Sequence, residues 1–126
     1  MAQAMAAHLL GDKFNIISAG LMAMAGSPAS SHAITVMDER KLKLEKHKSQ
    51  LVTETLLDSV NLVLTMTASH KEAILHVDKT ADKIWTLGEY ADSDISISDP
   101  YGGDLSVYRA CAEEIYELLL KVKDKL

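Results

Sequence analysis

The chain has 126 residues, of which 48% are hydrophobic and 25% charged, a composition typical of one globular domain. Its formal net charge of -5 at pH 7 argues against nucleic acid as a partner, and no apolar run reaches the roughly 20 residues of a membrane span. The single cysteine, Cys111, excludes an internal disulfide framework and predicts a cytoplasmic protein.

The first third of the chain predicts two helices with a strand between them. Residues 1–10, MAQAMAAHLL, are strong helix formers, and Gly11 is a suitable helix end. The run FNIIS at 14–18 is apolar and of strand length, and it predicts a short buried strand. Residues 31–41, SHAITVMDERK, have helical spacing of their apolar side chains.

The remainder of the chain alternates between helices and strands. The predicted elements are helices at 54–59, 68–77 and 105–123 and strands at 60–65 and 83–87. Thr53 is placed to cap the first of these helices, Ser69 and Glu72 have capping-box spacing in the second, and the third is strongly amphipathic. Because strands that alternate with helices form parallel sheets, the predicted fold class is α/β with helices on both faces.

The loop SISDPYGGD, residues 96–104, has two interpretations. Asp, Pro and paired Gly are turn residues, so the stretch predicts a tight turn before the last helix. The loop also follows the last strand, and ligands of open α/β sheets bind beyond the carboxyl ends of the strands. In the second interpretation the loop holds Asp99 over a reaction centre, where a carboxylic acid transfers a proton.

Segments along the whole chain resemble the low-molecular-weight protein tyrosine phosphatases, and most of all the bacterial branch that includes protein arginine phosphatases. The matching segments are MAQAMAAHLL, FNIISAG, SHAITV, LVTETLLDSVNLVLTMTASHKEAIL, IWTLGEY and SDPYGGDLSVYRACAEEI. The resemblance implies a three-layer fold with a parallel sheet flanked by helices. It also implies hydrolysis of phosphotyrosine or phosphoarginine in proteins through a phosphocysteine intermediate, with no cofactor and no metal.

The resemblance also implies that the phosphate loop of this family is missing. The family opens with a strand and a Cys-x5-Arg loop followed by Met-Ala-Glu-Ala, whereas this chain begins Met-Ala-Gln-Ala. Cys111 is no substitute, because Glu117 stands six positions later and both lie in a predicted helix. We therefore expect residues 1–126 to form one N-terminally truncated phosphatase-like domain without its first central strand, nucleophile or loop arginine, inactive by itself.

Four residues take functional roles by resemblance. Asp99 corresponds to the general acid and base, and Tyr101 to a wall of the substrate cleft. Ser18 and His47 correspond to residues that hydrogen-bond an asparagine of the phosphate loop and keep it rigid. The residues alone leave other interpretations open: a hydroxyl at a strand end for Ser18, and an exposed histidine among lysines for His47.

Three hypotheses on function follow. The first is a phosphatase whose nucleophile loop is absent from the 126 residues, with a phosphorylated protein as substrate and neither nucleic acid nor membrane as partner. The second is a catalytically dead binding module of the same fold. The third, a flavodoxin-type binding protein, needs a phosphate-cradling loop after a first strand, which this chain does not have. Without the missing strand, the edges at 14–18 and 60–65 lose their hydrogen bonds. The two strands then close up, water fills the space, or another chain supplies a strand, and the last outcome is self-association through exposed strand edges.

Overall fold

Helices and short parallel strands alternate along the chain. The computed structural model describes residues 1–21, 26, 28–44, 47–77 and 81–126. In chain order, the elements are α1 (Ala2–Leu10), α2 (Ser31–Glu39), α3 (Glu54–Asp58), β1 (Val63–Thr65), α4 (Ala68–Val77), β2 (Ile84–Thr86), α5 (Leu87–Tyr90) and α6 (Leu105–Lys125). Single 3-10 turns lie at Gly11–Lys13, directly after α1, and at Ala81–Lys83, directly before β2.

The two strands form a parallel pair joined through α4. A parallel connection requires a crossover of a dozen or more residues, and α4 with its flanking turns supplies it. The register pairs Val63 with Ile84, Leu64 with Trp85 and Thr65 with Thr86. This arrangement confirms the predicted α/β class, although both strands are shorter than the predicted runs at 60–65 and 83–87.

The prediction of a buried strand at 14–18 is wrong. Phe14 has extended backbone angles, φ -129° and ψ 144°, but residues 15–18 make no backbone-to-backbone hydrogen bond with any other described segment. Pairing begins only at Gly20, which forms a parallel bridge with Leu51. Phe14 and Ile17 are 42% and 39% exposed. An apolar run favours extended backbone, but a strand also needs a neighbour at hydrogen-bonding distance, which the described residues do not provide here.

Side-chain caps fix the helix starts, partly at residues other than those predicted. The predicted cap at Thr53 is confirmed, since its hydroxyl accepts a hydrogen bond from the N–H of Leu56 at 3.1 Å. At α4, the cap is Thr67, which accepts from the N–H of His70 at 3.2 Å, so the predicted Ser69–Glu72 box is wrong. A capping box does occur between Thr86 and Glu89, where it starts the unpredicted helix α5.

Two apolar clusters cover opposite faces of the sheet. Leu64 packs against the larger cluster and Val63 against the smaller one, as expected for successive strand residues. The smaller cluster centres on the buried side chains of Leu57, Ile74 and Ile84. The larger cluster joins α1, α2 and α6. It confirms the predicted apolar stripe of the last helix, whose buried residues are Tyr108, Cys111, Ala112, Ile115, Leu118, Leu119 and Val122.

Candidate functional site

A cavity of about 440 Å³ opens where the front of α1 meets the carboxyl end of β1 and the loop before α6. Met1 and Ala2 line it from the helix, Met66 from the residue after β1, and Asp99 from the loop. This place, beyond the carboxyl ends of parallel strands, is where α/β sheets bind their ligands. No side-chain hydrogen bond caps α1 among the described residues, and the N–H groups at a helix start attract anions.

A tight turn holds Asp99 at the wall of this cavity. The carboxylate Oδ1 of Asp99 accepts a hydrogen bond from the N–H of Tyr101 at 3.0 Å. The N–H of Gly103 donates to the carbonyl oxygen of Pro100 at 2.9 Å, and Gly102 has a φ of 84°. The predicted turn is therefore confirmed, and the same turn brings Asp99 to the cavity at the front of α1.

Asp104 anchors the far end of the same loop to α6. Its Oδ1 accepts from the hydroxyl of Ser106 at 2.6 Å and from the N–H of Val107 at 3.1 Å. The hydrogen bond from Ser106, followed by that from the N–H of Val107, lowers the pKa of the Asp104 carboxyl group. The ionised Asp104 carboxylate caps the start of α6 and fixes the end of the loop that follows the glycines. The turn at Asp99 fixes the end that precedes them.

Two tyrosines give the cavity an outer and an inner wall. Tyr101 is 85% exposed and lies on the rim. Tyr108 is buried, and its ring packs against that of His32 with 5.3 Å between the ring centroids. His70, from the first turn of α4, lies on the wall as well. The cavity thus combines aromatic surface with a carboxylate and the front of a helix.

Cys111 lies at the inner wall of the cavity but has the properties of a core residue. It is 6% exposed, and its Sγ donates to the carbonyl oxygen of Ser98 at 3.7 Å. Burial raises the pKa of the Cys111 thiol, and the nearby carboxylate of Glu114 raises it further. A nucleophilic cysteine needs a lowered pKa, so this environment is the opposite of an activating one. Cys111 thus belongs to the larger apolar cluster.

Ser18 contacts α1 beside the cavity rather than inside it. Its hydroxyl donates to the Oε1 of Gln3 at 2.6 Å, and the Nε2 of Gln3 donates to the carbonyl oxygen of Ile16 at 3.3 Å. The Nε2 of Gln50 donates to the carbonyl oxygen of Ser18 at 2.9 Å. Sequence reasoning missed Gln3, and the one signal was a polar side chain in an alanine-rich first turn.

His47 is half-buried rather than a fully exposed histidine among lysines. Its N–H donates to the carbonyl oxygen of Leu44 at 3.1 Å. Burial lowers the pKa of the His47 imidazole, and the positive amino group of Met1 lowers it further. The histidine therefore lies within electrostatic range of the front of α1, although neither it nor Ser18 is among the described residues that line the cavity.

Among the described residues, no three His, Cys, Asp or Glu side chains are close enough together to hold a metal ion. Within the same part of the chain, no helix has the length and apolar character needed to cross a membrane.

Comparisons with known proteins agree on one family. A family model described as low molecular weight phosphotyrosine protein phosphatase matches residues 1–126. A protein-arginine-phosphatase of Bacillus subtilis is 36% identical over 118 residues, which are 92% of this chain and 78% of that protein. A low molecular weight protein-tyrosine-phosphatase of Staphylococcus epidermidis is 32% identical over 125 residues, covering 99% of this chain and 88% of that protein.

Solved structures with a similar fold come from the same family. The arginine phosphatase from Geobacillus stearothermophilus superposes with a TM-score of 0.92 at 33% sequence identity, over 98% of this chain and 81% of that chain. The three-layer α/β architecture with a parallel sheet is therefore the one that these enzymes share.

Proposed function

Because the chain belongs to the low molecular weight phosphotyrosine protein phosphatase family, we propose that its cavity is where a phosphorylated protein side chain is dephosphorylated. The proposed substrates are phosphotyrosine or phosphoarginine, since relatives named for each activity match most of the chain. The observation that carries the proposal is the shared cavity: the acid-bearing turn and the front of α1 line the same space.

Asp99 is the proposed general acid and base. When the bond to phosphorus breaks, tyrosine leaves as a phenolate and arginine as a guanidine, and protonation of the leaving oxygen or nitrogen in the transition state accelerates the step. The same carboxylate then accepts a proton from the water that attacks the phosphocysteine intermediate. The turn around Gly102 holds the carboxylate on the cavity wall, which suits a group that transfers protons twice in one cycle.

The remaining site residues support the anion cradle and the substrate. We propose that Tyr101 packs against the phosphorylated side chain, because its ring lies exposed on the cavity rim. Ser18 and His47 are proposed to hold the phosphate loop rigid from beside α1. The hydrogen bond of Ser18 to Gln3 in the first turn of α1 and the effect of the Met1 amino group on the pKa of His47 support this proposal.

We propose that residues 1–126 do not turn over substrate by themselves. The nucleophile of this chemistry is a thiolate, and the one cysteine of the chain, Cys111, is buried with a raised pKa. The Cys-x5-Arg run that binds phosphate in this family does not occur in the 126 residues. With a single cysteine and no disulfide framework, the proposed compartment is the cytoplasm.

The test combines genomic sequence with turnover of p-nitrophenyl phosphate. We expect an in-frame Cys-x5-Arg-Ser-Pro run directly upstream of the Met1 codon, and turnover by the product that includes it but not by residues 1–126 alone. Translation that starts at Met1, with no such run upstream and a cooperatively melting inactive product, contradicts the enzyme and favours the binding module.

We further propose that residues 1–126 self-associate through the extended backbone at residues 15–18. Exposed main-chain donors and acceptors pair readily with another chain, and residues 15–18 make no backbone-to-backbone hydrogen bond with another described segment. In sedimentation velocity, the average mass should rise with protein concentration. A monomer at every concentration contradicts this proposal and leaves the enzymatic one unaffected.

A further inference from the structure

Another cavity, of about 250 Å³, lies between α1, the end of α2 and α6. The described residues that line it are Met5, His8, Arg40, Leu42 and Tyr116. None of them lines the cavity that contains Asp99, so the two spaces are separate. We call this second space the Arg40 cavity.

The end of α2 forms one wall of the Arg40 cavity. The N–H of Leu42 donates to the carbonyl oxygen of Met37 at 2.8 Å, and the N–H of Lys41 donates to that of Asp38 at 2.9 Å. These two hydrogen bonds are those of a Schellman helix end, with Lys41 at a φ of 61° as its left-handed residue. Because the backbone turns at Lys41, the residues on either side of it, Arg40 and Leu42, both line the cavity.

The first helix supplies an apolar base and part of a polar rim. Met5 is completely buried, whereas His8, three positions later and therefore on the same face of α1, is exposed. Leu42 is half-buried and packs against the larger apolar cluster, to which Met5 also belongs. The Arg40 cavity thus has apolar side chains at its base and a polar side chain at its mouth.

The guanidinium group of Arg40 has donors to spare. Its Cζ lies 5.2 Å from the centroid of the Tyr116 ring, and its Nη2 donates to Oε2 of Glu113 at 2.5 Å. A guanidinium group has five N–H donors, and Glu113 is the one acceptor that the described part of the chain provides for them. The side chain of Glu113 is 58% exposed, and an ion pair with so exposed a carboxylate is weak.

Two further polar groups line the Arg40 cavity without a hydrogen-bond partner in the described ranges. These groups are the hydroxyl of Tyr116 and the imidazole of His8. A phenol donates one hydrogen bond, and an imidazole has an N–H donor in either protonation state. No carboxylate is among the described lining residues, although the chain as a whole has a net charge of -5. An anion therefore matches this cavity in both charge and hydrogen bonding.

We propose that the Arg40 cavity binds a small aromatic carboxylate, with the carboxylate on Arg40 and the ring on Met5 and Leu42. A planar guanidinium group matches a carboxylate with two parallel N–H···O hydrogen bonds, and a methionine sulfur packs favourably against an aromatic ring. An apolar cavity of about 150 Å³ holds a benzene ring. The Arg40 cavity, at about 250 Å³, therefore has room for one ring and its carboxylate group.

The probe is sodium phenylacetate, titrated into residues 1–126 and followed by NMR. We expect the methyl resonances of Met5 and Leu42 and the side-chain N–H resonances of Arg40 to shift, and the amides of Asp99 and Tyr101 to change little. Phenylacetamide has the same ring without the charge, and inorganic phosphate has the charge without the ring. Each should bind about tenfold more weakly than phenylacetate, or weaker still.

Three variants test the role of the guanidinium group. Arg40→Gln should weaken phenylacetate binding by about tenfold or more. Arg109→Gln is the matched control: it breaks the other ion pair between α6 and α2, with Glu39, but does not line the cavity, and it should bind as the parent does. Glu113→Gln releases the guanidinium group from a competing carboxylate and should tighten binding, whereas a purely structural role of Arg40 predicts no tightening.

This proposal goes beyond the proposed dephosphorylation, and its test involves no turnover, so the failure of one leaves the other standing. Circular dichroism establishes that the variants are folded. The proposal is overturned if phenylacetate shifts no resonance of the cavity lining, or if phenylacetamide or phosphate binds equally well. It is also overturned if folded Arg40→Gln binds as the parent does, or if Glu113→Gln fails to tighten binding.

Discussion

The imidazole of His47 is half-buried near the amino group of Met1, and burial is the main cause of its lowered pKa. In the unfolded chain, the pKa returns to its ordinary value of about 6.5. As the pH falls below about 6.5, the unfolded state therefore takes up the proton first, and protonation favours unfolding. The stability that neutral His47 contributes is present above the unfolded pKa and is lost as the pH falls through the folded one.

We expect the free energy of unfolding to fall between about pH 7 and pH 5, and His47→Gln to remove part of that fall. Urea denaturation of the parent and the variant at both pH values measures the difference. His76→Gln, which replaces an exposed histidine in α4, controls for the loss of a histidine elsewhere. If the free energy of unfolding of His47→Gln falls as much as that of the parent between the two pH values, His47 is not the group responsible.

Gln3 links α1 to the segment at 14–18 through both ends of its amide. Gln3→Ala leaves the Ser18 hydroxyl and the Ile16 carbonyl oxygen without these partners and should lower the free energy of unfolding by about 1 kcal/mol. Gln3→Glu keeps an acceptor for Ser18 and should have a smaller effect. Equal stability of parent and Gln3→Ala in urea denaturation would show that water replaces both contacts without loss.

At the level of elements, the turn before α6 depends on its glycines. Gly102 has a φ of 84°, a region that side chains with a Cβ rarely adopt. A Cβ added at Gly103 would lie 2.8 Å from the Cβ of Val107. The pair therefore has two different reasons to be glycine, one conformational and one steric.

Gly102→Ala should destabilise the protein by about 1 to 3 kcal/mol, because alanine is strained in the left-handed region. Gly102→Asn should have a smaller effect, since asparagine tolerates that region. Thermal unfolding of the two variants beside the parent tests this. If Gly102→Ala and Gly102→Asn destabilise the protein equally, the left-handed backbone at Gly102 is not the cause of the loss.

Helices were more predictable than strands because their signals are local. Thr53 and the apolar stripe of α6 are visible in short windows of sequence, and both predictions are confirmed. The segment at 14–18 has the composition of a strand, but pairing depends on a neighbour that no local pattern reveals. The cap at Thr67 was not predicted, because Ser69 stands three residues before Glu72 and so has the spacing of a capping box.

At the level of the whole molecule, the candidate site is assembled from segments far apart in the chain. Asp99 and the front of α1 share one cavity although 98 positions separate Met1 from Asp99. The role of Asp99 followed from a family resemblance, whereas the spacing of the residues alone favoured only a turn. Gln3 could not be identified in advance because its partners, Ser18 and the carbonyl oxygen of Ile16, depend on how α1 packs.

The most direct test of the proposed function compares leaving groups in the product that carries the Cys-x5-Arg run. If Asp99 protonates the leaving atom, Asp99→Asn should reduce kcat/KM, which reports the step in which that atom departs, by about 100-fold to 10,000-fold for a phosphotyrosine peptide. For p-nitrophenyl phosphate the reduction should be at least tenfold smaller, because p-nitrophenolate leaves readily without a proton. Equal reductions for the two substrates, or none, would contradict the account.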